Sequence, residues 1–294
     1  MKKTGLVNRI FLGIRRNWKK IPGWTLQVLG ILSILETIAN FSSFVKSWTD
    51  KFPDQILYVT FIAAVLYVIY KAAEPRKITV NLRSINTQLN IYFGDIFLEK
   101  EKSHLVIPVN EFFDAQLGGA VGQSGDIVAP NSIHGQFITK IYNSDAVKLN
   151  SDLDMALKGV ISNTIARNSG KTSQYLVGTT AVIGHGAYKC FLFALSRTDL
   201  ITAKAQSDVP TMWSALEGVW MSVRNCSNNL PVSLPLVGGG LSHVGLDSMS
   251  LLRLIVMSIT KSSQTKKITD QINIIIHENL MNEIVLRKIK EEFN

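Results

Sequence analysis

The stretch PVSLPLVGGGLSHVG (Pro231–Gly245) carries the first decision about the fold. An apolar, β-capable run from Val232 to Val237 meets three consecutive glycines, Gly238, Gly239 and Gly240. A segment with helical apolar spacing follows, Leu246 to Thr260. Strand, glycine loop and helix in this order bring bare backbone N–H groups and a helix N-terminus to bear on a phosphate. Glycine suits the loop because it reaches positive φ and lets a ligand approach the main chain. The same order also serves a plain strand-to-helix turn, and only the rest of the chain separates the two.

Working outward, 294 residues are enough for one full globular domain and something smaller. Hydrophobic residues make up 46% and the mean hydropathy is +0.17, which points to a mixture of soluble and membrane parts. A net charge of +9 fits either nucleic acid or an anionic membrane surface. Its distribution favours the membrane. Seven of the 31 basic residues (Lys2, Lys3, Arg9, Arg15, Arg16, Lys19, Lys20) lie in the first 20 positions, with no acidic residue among them. The part after residue 77 lacks the basic and aromatic clustering of a nucleic-acid binder, so nucleic acid is not an expected partner. Cys190 and Cys226 fit no metal-ligand spacing and read as thiols in a reducing compartment.

Residues 1–21 read as a basic amphipathic segment with Leu6, Ile10, Ile14 and Trp18 recurring every four residues. Such a helix can lie among anionic headgroups, or simply orient the span that follows. Trp24 to Val45 contains no Lys or Arg, and Ile56 to Ala73 is nearly all apolar; each is long enough to cross hydrocarbon. The short link between them forces a transmembrane hairpin, residues 22–75. The excess of positive charge outside that link places both termini in the cytoplasm. Ser33, Glu36, Thr37 and Asn40 fall on one helical face of the first span. A carboxylate at mid-membrane should face protein or water, so this polar face either packs protomers together or lines a pore. Both uses imply a homo-oligomer in a lipid bilayer.

From Ile78 the pattern becomes alternating strands and helices, the mark of an α/β domain with a mixed sheet between helices over residues 76–294. Strands are expected at Ile78–Arg83, Leu89–Phe93, Leu105–Val109, Tyr175–Ile183, Lys189–Leu195 and within Ile268–Ile276. Helices are expected at Ser132–Tyr142, Asp152–Ala166, Pro210–Arg224 and Asn279–Phe293. The turn Gly184-His185-Gly186 should separate two of the strands.

Three stretches in this domain carry a resemblance. Gly94-Asp95-Ile96 follows a strand, Pro108-Val109-Asn110 ends one, and PLVGGGLSHVG joins a strand to a helix. Taken in order they resemble the macrodomain family, which binds ADP-ribose. The resemblance implies that Asp95 and Ile96 hold the adenine. Backbone N–H groups of Gly238, Gly239, Gly240 and Leu241, with those around Ser132, Ile133, His134 and Gly135 at a helix start, would hold the diphosphate. Asn110, with the loop before Ser132, would read the distal ribose. Locally, Asp95 also suits a turn cap and His134 a helix cap, while His185 and His243 are loop candidates for contact.

The departures from the family pattern bear on the reaction. Hydrolytic macrodomains carry an asparagine pair where this chain has Asn110-Glu111-Phe112-Phe113, and the glycine loop after Gly118 is enlarged before Ser132. That favours a sensor over an ADP-ribosyl hydrolase, which stays as the runner-up. The whole architecture, hairpin then macrodomain, resembles the membrane-anchored effectors of Thoeris anti-phage defence. That resemblance implies a bacterial inner-membrane protein with no cofactor or metal. Its partner would be a TIR-domain enzyme that makes a nucleotide-derived signal, histidine-linked ADP-ribose. Binding would drive oligomerisation, membrane disruption and abortive infection.

Overall fold

The computed structural model describes residues 6–42, 46–47, 50–81, 87–118, 128–200, 204–240 and 244–293. The chain divides into two compact units, Met1–Pro75 and Arg76–Asn294. In the first, helix α1 (Leu6–Asn17) runs through a 3₁₀ turn (Trp18–Lys20) into α2 (Ile21–Phe41), and α3 is Pro53–Ala72. Pro53 belongs to α3 and not to the link. Its fixed φ and missing N–H suit the first helical turn, where Asp54 also complements the helix dipole. Apolar windows in Arg9–Ile38 (mean hydropathy 1.4) and Asp54–Ala72 (1.7) make both long and apolar enough to cross a membrane. On α1 the exposed apolar row is Val7, Phe11, Ile14 and Trp18, shifted from the expected one, while Ile10 is half-buried.

The second unit is built on one mixed sheet. Its strands are β1 (Lys77–Asn81), β2 (Gln88–Phe93), β3 (His104–Asn110), β6 (Thr180–His185), β7 (Tyr188–Thr198), β8 (Ala205–Gln206), β9 (Val232–Pro235) and β10 (Gln271–Ile276). The order is β1-β2-β10-β9-β3-β7-β6, with β8 on β7, and β4 (Ser162–Thr164) pairs β5 (Ser173–Tyr175) separately. The inner run β2, β10, β9, β3 and β7 is parallel, and β1, β6 and β8 are antiparallel. Inner strands are therefore buried on both faces, which is why Leu105–Val109 and Cys190–Leu195 are nearly continuous apolar runs.

Alternation divides the core between two faces. Leu105, Ile107, Val109, Cys190, Leu192 and Ala194 join Phe137, Ile138, Leu149 and Leu153 of α4 (Ile133–Tyr142) and α5 (Ala146–Ala156). The opposite face is covered by α6 (Val209–Cys226) and α7 (Ser248–Thr265), where Trp220 donates to Ser258 Oγ at 3.0 Å. Each fully buried large side chain contributes about 1.5–3 kcal/mol. One row in the sheet is polar. Thr79 bonds Asn90, Asn90 bonds Asn273, Asn273 bonds Ser233, and Ser233 meets Ser103 at 2.6 Å. A one-residue slip would orphan every member of this buried row, so it fixes register.

Four expected elements move. The helix foreseen at Asp152–Ala166 is α5, opened six residues earlier by the Asp145 cap on Lys148 N (2.9 Å) and closed before Gly159 at φ +81°. Tyr175–Ile183 is two strands, broken at Gly178, whose φ is +89° and whose backbone a Cβ at Gly218 of α6 would overlap. Asn279–Phe293 is a 3₁₀ turn (Glu278–Asn282) and then α8 (Leu286–Phe293). His185 pairs with Tyr188 inside the β6–β7 hairpin, so the turn is at Gly186 (φ +58°) and not centred on His185. β1 ends at Asn81; Leu82 and Arg83 lie outside the described residues.

Candidate functional site

Because β2, β10, β9 and β3 are parallel neighbours, their carboxyl ends open on one edge of the sheet. Three of the sequence-predicted stretches leave from that edge: Gly94-Asp95 after β2, the glycine loop after β9, and Asn110 at the end of β3. The chain then departs β3 toward β7 and β9 back toward β10, so the two connections diverge. The crevice outside carboxyl ends at such a divergence is where open α/β sheets take ligands.

Asp95 caps the 3₁₀ turn Ile96–Glu99. One carboxylate oxygen accepts Phe97 N at 3.0 Å, and the other meets Lys140 Nζ of α4 at 3.1 Å. Lys140 in turn lies 4.6 Å over the Phe97 ring. Two oxygens offer about four acceptor positions, so Asp95 keeps capacity for a further donor. Ile96 is buried in the core, which leaves only its backbone to present.

Asn110 is tied into a small lock. Its Nδ2 donates to Asp114 Oδ2 at 2.8 Å, and its Oδ1 accepts Asp114 N at 3.2 Å. Asp114 also accepts Lys171 N at 2.8 Å and pairs with Arg167 Nη1 at 3.0 Å. The guanidinium stacks 3.9 Å from the Phe112 ring centroid. Phe112 and Phe113 are fully buried, and Phe113 meets Tyr175 edge-on at 5.4 Å. The aromatics in place of a second asparagine are therefore core packing. Asp114 and Arg167 are the residues that sequence reading missed; an aspartate four positions after Asn110 was the available signal.

At the start of α4, Ser132 Oγ accepts Gly135 N at 2.9 Å and donates to Ala129 O at 2.7 Å. Ser132 is the N-cap, at the expected start of this helix. The N–H groups of Ile133 and His134 stand in the first turn, where no intrahelical acceptor exists. A Cβ at Gly135 would overlap the Ala129 carbonyl oxygen, so only glycine lets this helix start so close to residues 129–130. His134 is buried, and its Nε2 has no hydrogen-bond partner among the described residues. Burial pulls its pKa down to about 3, so the ring is neutral.

The glycine loop divides by function. Gly238 sits at φ +93°, and a Cβ there would stand 2.8 Å from Leu251 Cδ2 and 3.1 Å from Met212 Sδ and Val244 Cγ2. Gly239 and Gly240 are exposed, and a Cβ at Gly240 would meet nothing within 4 Å among the described residues. Leu241 and His243 lie outside the described residues. Helix α7 begins at Ser248, two residues later than expected, because Asp247 Oδ1 takes Met249 N at 3.0 Å and Ser250 N at 3.1 Å. The Ser250 hydroxyl, donating to Asp247 Oδ2 at 2.6 Å, is the largest cause holding this carboxyl below the usual range, and the backbone N–H bonds add to it. The Asp247 carboxylate therefore takes first-turn N–H groups of α7, and the backbone of Gly239 and Gly240 stays exposed.

His185 belongs elsewhere. It hydrogen-bonds Tyr142 OH at 3.1 Å and stacks on Tyr188 at 5.7 Å, at the amino end of β7 and away from the carboxyl edge. Among the described residues no group of three or more His, Cys, Asp or Glu is placed to hold a metal ion. In the first unit, Ser33 Oγ donates to Leu29 O (3.0 Å) and Thr37 Oγ1 to Ser33 O (2.8 Å), so these hydroxyls are satisfied inside α2. Glu36 is exposed on the same face, and the side chain of Asn40 lies outside what is described.

With this geometry in hand, comparison with known proteins is informative. The Thoeris protein ThsA of Bacillus amyloliquefaciens (strain Y2) is 26% identical over 283 residues, covering 93% of this chain and 90% of that protein. Among solved structures, the Oceanobacillus iheyensis macrodomain with ADP is 12% identical, covering 74% of this chain and 96% of its own, with a TM-score of 0.46. The Trypanosoma brucei macrodomain in complex with ADP-ribose is 10% identical, covering 69% of this chain and 68% of its own, with a TM-score of 0.42. Residues 89–277 match the family described as "Thoeris protein ThsA, Macro domain", and the chain belongs to that family.

Proposed function

We propose that this chain is a membrane-anchored effector of anti-phage defence whose residues 76–294 sense an ADP-ribose-derived signal. The signal is histidine-linked ADP-ribose, made from NAD by a partner TIR-domain enzyme. Residues 1–21 flank, and residues 22–75 form, a two-span anchor in the bacterial inner membrane, with both termini cytoplasmic. Signal binding favours an oligomer, and the hairpin then disrupts the bilayer and aborts infection. The single observation that carries the reading is the meeting of three loops at one carboxyl edge in a chain of the ThsA family.

The residues fit such a ligand. Asp95 has acceptor capacity for an amino group, and Ile96 N stands beside it. The open backbone at Gly239 and Gly240 suits a diphosphate, as do the first-turn N–H groups of Ile133 and His134. The orphaned Nε2 of His134 is a buried hydrogen-bonding group that a ligand would satisfy. Asn110, with Asp114 holding its amide, reads the distal ribose.

Thermal unfolding of the full chain in detergent micelles with NAD, ADP-ribose or histidine-linked ADP-ribose tests this. A ligand at 100 times its Kd stabilises by about 2.7 kcal/mol. For a unit of this size that is roughly 5–10 °C. The expected result is a shift of that order with the conjugate, less with ADP-ribose, and none in Asp95→Ala. No shift with any of the three removes the sensor reading, and turnover of the conjugate replaces it with a hydrolase.

A further inference from the structure

Helix α1 is turned the opposite way from an amphipathic helix in water. Its most buried positions are Gly13 and Asn17, with Arg9, Ile10, Leu12 and Arg16 half-buried. A Cβ at Gly13 would overlap the Ala72 carbonyl at the end of α3. Arg9 donates from Nε (3.0 Å) and Nη2 (2.8 Å) to Glu74 O, and Arg16 lies 3.8 Å from the Glu74 carboxylate. Asn17, also buried, donates to Gly13 O at 2.9 Å. Arg9, Gly13 and Asn17 are spaced i, i+4, i+8, one face of the helix.

The opposite face is Val7, Phe11, Ile14 and Trp18, spaced i, i+4, i+7, i+11 and exposed by 80%, 64%, 38% and 63%. Arg15 and Lys19 flank this stripe, and Lys19 Nζ stands 5.8 Å over the Trp18 ring. A helix that half-buries Arg9 and Arg16 and offers its aromatics outward matches a surrounding that is apolar with a charged rim. The headgroup boundary of a bilayer is such a surrounding.

We infer that α1 is an interfacial anchor whose Val7–Phe11–Ile14–Trp18 stripe inserts among the acyl chains of an anionic leaflet, with Arg15 and Lys19 on lipid phosphates. This rests on the reading that α2 and α3 span the bilayer. Two observations select lipid over another protein as the occupant. First, α1 is continuous through Trp18–Lys20 with α2 and is pinned by Gly13 to the end of α3, so it lies where two apolar helices meet one boundary. Second, there is no acidic residue before Glu36, so the charge complement is anionic. The Gly13–Ala72 contact then makes the depth of α1 in the leaflet and the position of α3 one variable.

The test uses the full chain in lipid nanodiscs of phosphatidylcholine, with or without one-third phosphatidylglycerol. An environment-sensitive fluorophore is placed at Phe11→Cys, or at Leu29→Cys as a mid-span control. Cys226→Ser removes the half-buried thiol, and Cys190 stays in the core. The Phe11 probe should be quenched by a nitroxide borne on the lipid headgroup and protected from aqueous iodide in the anionic discs. Arg15→Gln with Lys19→Gln should raise its iodide quenching at least twofold. Iodide quenching at Phe11 in both disc types overturns the inference, and so does an unchanged response in the double variant. Protection from both quenchers overturns it in favour of a second copy covering the stripe. Iodide quenching at Leu29 instead sinks the anchor reading itself.

Discussion

Gly238 and Gly240, two residues apart in one loop, should respond oppositely to the same methyl group. At Gly238 the backbone is at φ +93°, a region that costs an L-residue about 1–2 kcal/mol. The new Cβ would also stand 2.8 Å from Leu251 Cδ2, with Met212 Sδ and Val244 Cγ2 at 3.1 Å. Such overpacking of a closed site costs about 1–3 kcal/mol. Gly238→Ala should therefore destabilise the second unit by about 2–5 kcal/mol. At Gly240 a Cβ would meet nothing within 4 Å among the described residues, and the φ is not left-handed. Gly240→Ala should be neutral or stabilising by up to about 1 kcal/mol, since it restricts the unfolded chain. The signal is different. A Cβ on the exposed loop backbone holds a diphosphate off the N–H groups, so Gly240→Ala should lose at least tenfold in affinity for histidine-linked ADP-ribose. Urea unfolding of the full chain in micelles, read by the buried Trp220, gives the stabilities, and calorimetric titration gives the affinities. A Gly240→Ala variant that binds as well as the parent would refute the loop's assignment. A Gly238→Ala variant within 1 kcal/mol of the parent would refute the packing argument.

Arg167→Met leaves the Asp114 carboxylate buried without its counter-ion, which costs about 3–5 kcal/mol. Adding Asp114→Asn should recover part of the loss by removing the stranded charge, and urea midpoints of the two variants decide it. His134 titrates near 3 in the folded chain but near 6.5 when unfolded, so the unfolded state takes up the extra proton as pH falls. Stability contributed by the neutral ring is present above 6.5 and declines below it, by about 2 kcal/mol between pH 7 and pH 5. His134→Leu should flatten that slope in unfolding measured across the range, and an unchanged slope would show that another group causes it. Glu36→Leu should leave expression and ligand binding intact yet reduce toxicity in cells several-fold, and full toxicity would rule out the polar face of α2 as a working surface.

Much of the fold was readable because the periods of apolar residues are long and clear. Val232–Val237, Leu105–Val109 and Lys189–Leu195 are β-capable runs too short for helices, and the parallel inner sheet buries both of their faces. The misplacements trace to single residues whose role is set in three dimensions. Nothing local at Tyr175–Ile183 shows that Gly178 must pass against Gly218, or that Asp145 opens a helix six residues early. At the site, glycines and the β2, β3 and β9 ends could be named from sequence, since loop chemistry is written in residue type. The lock beneath Asn110 could not, because Asp114 and Arg167 are 53 residues apart. Nor could the Asp247 cap, which accepts the N–H groups of Met249 and Ser250 at the start of α7. The stripe of α1 was legible as amphipathic but set on Leu6 and Ile10 where Val7 and Phe11 are exposed, because a basic, apolar period by itself does not say which side packs on Ala72 and Glu74.

The coupling of signal to bilayer is tested most directly by dye release from sealed vesicles that carry the full chain. Histidine-linked ADP-ribose should release the dye, while NAD and an equal amount of ADP-ribose should leave the vesicles intact, and Asp95→Ala should abolish the release. Vesicles that stay sealed while the conjugate demonstrably binds would contradict the claim that sensing drives membrane disruption.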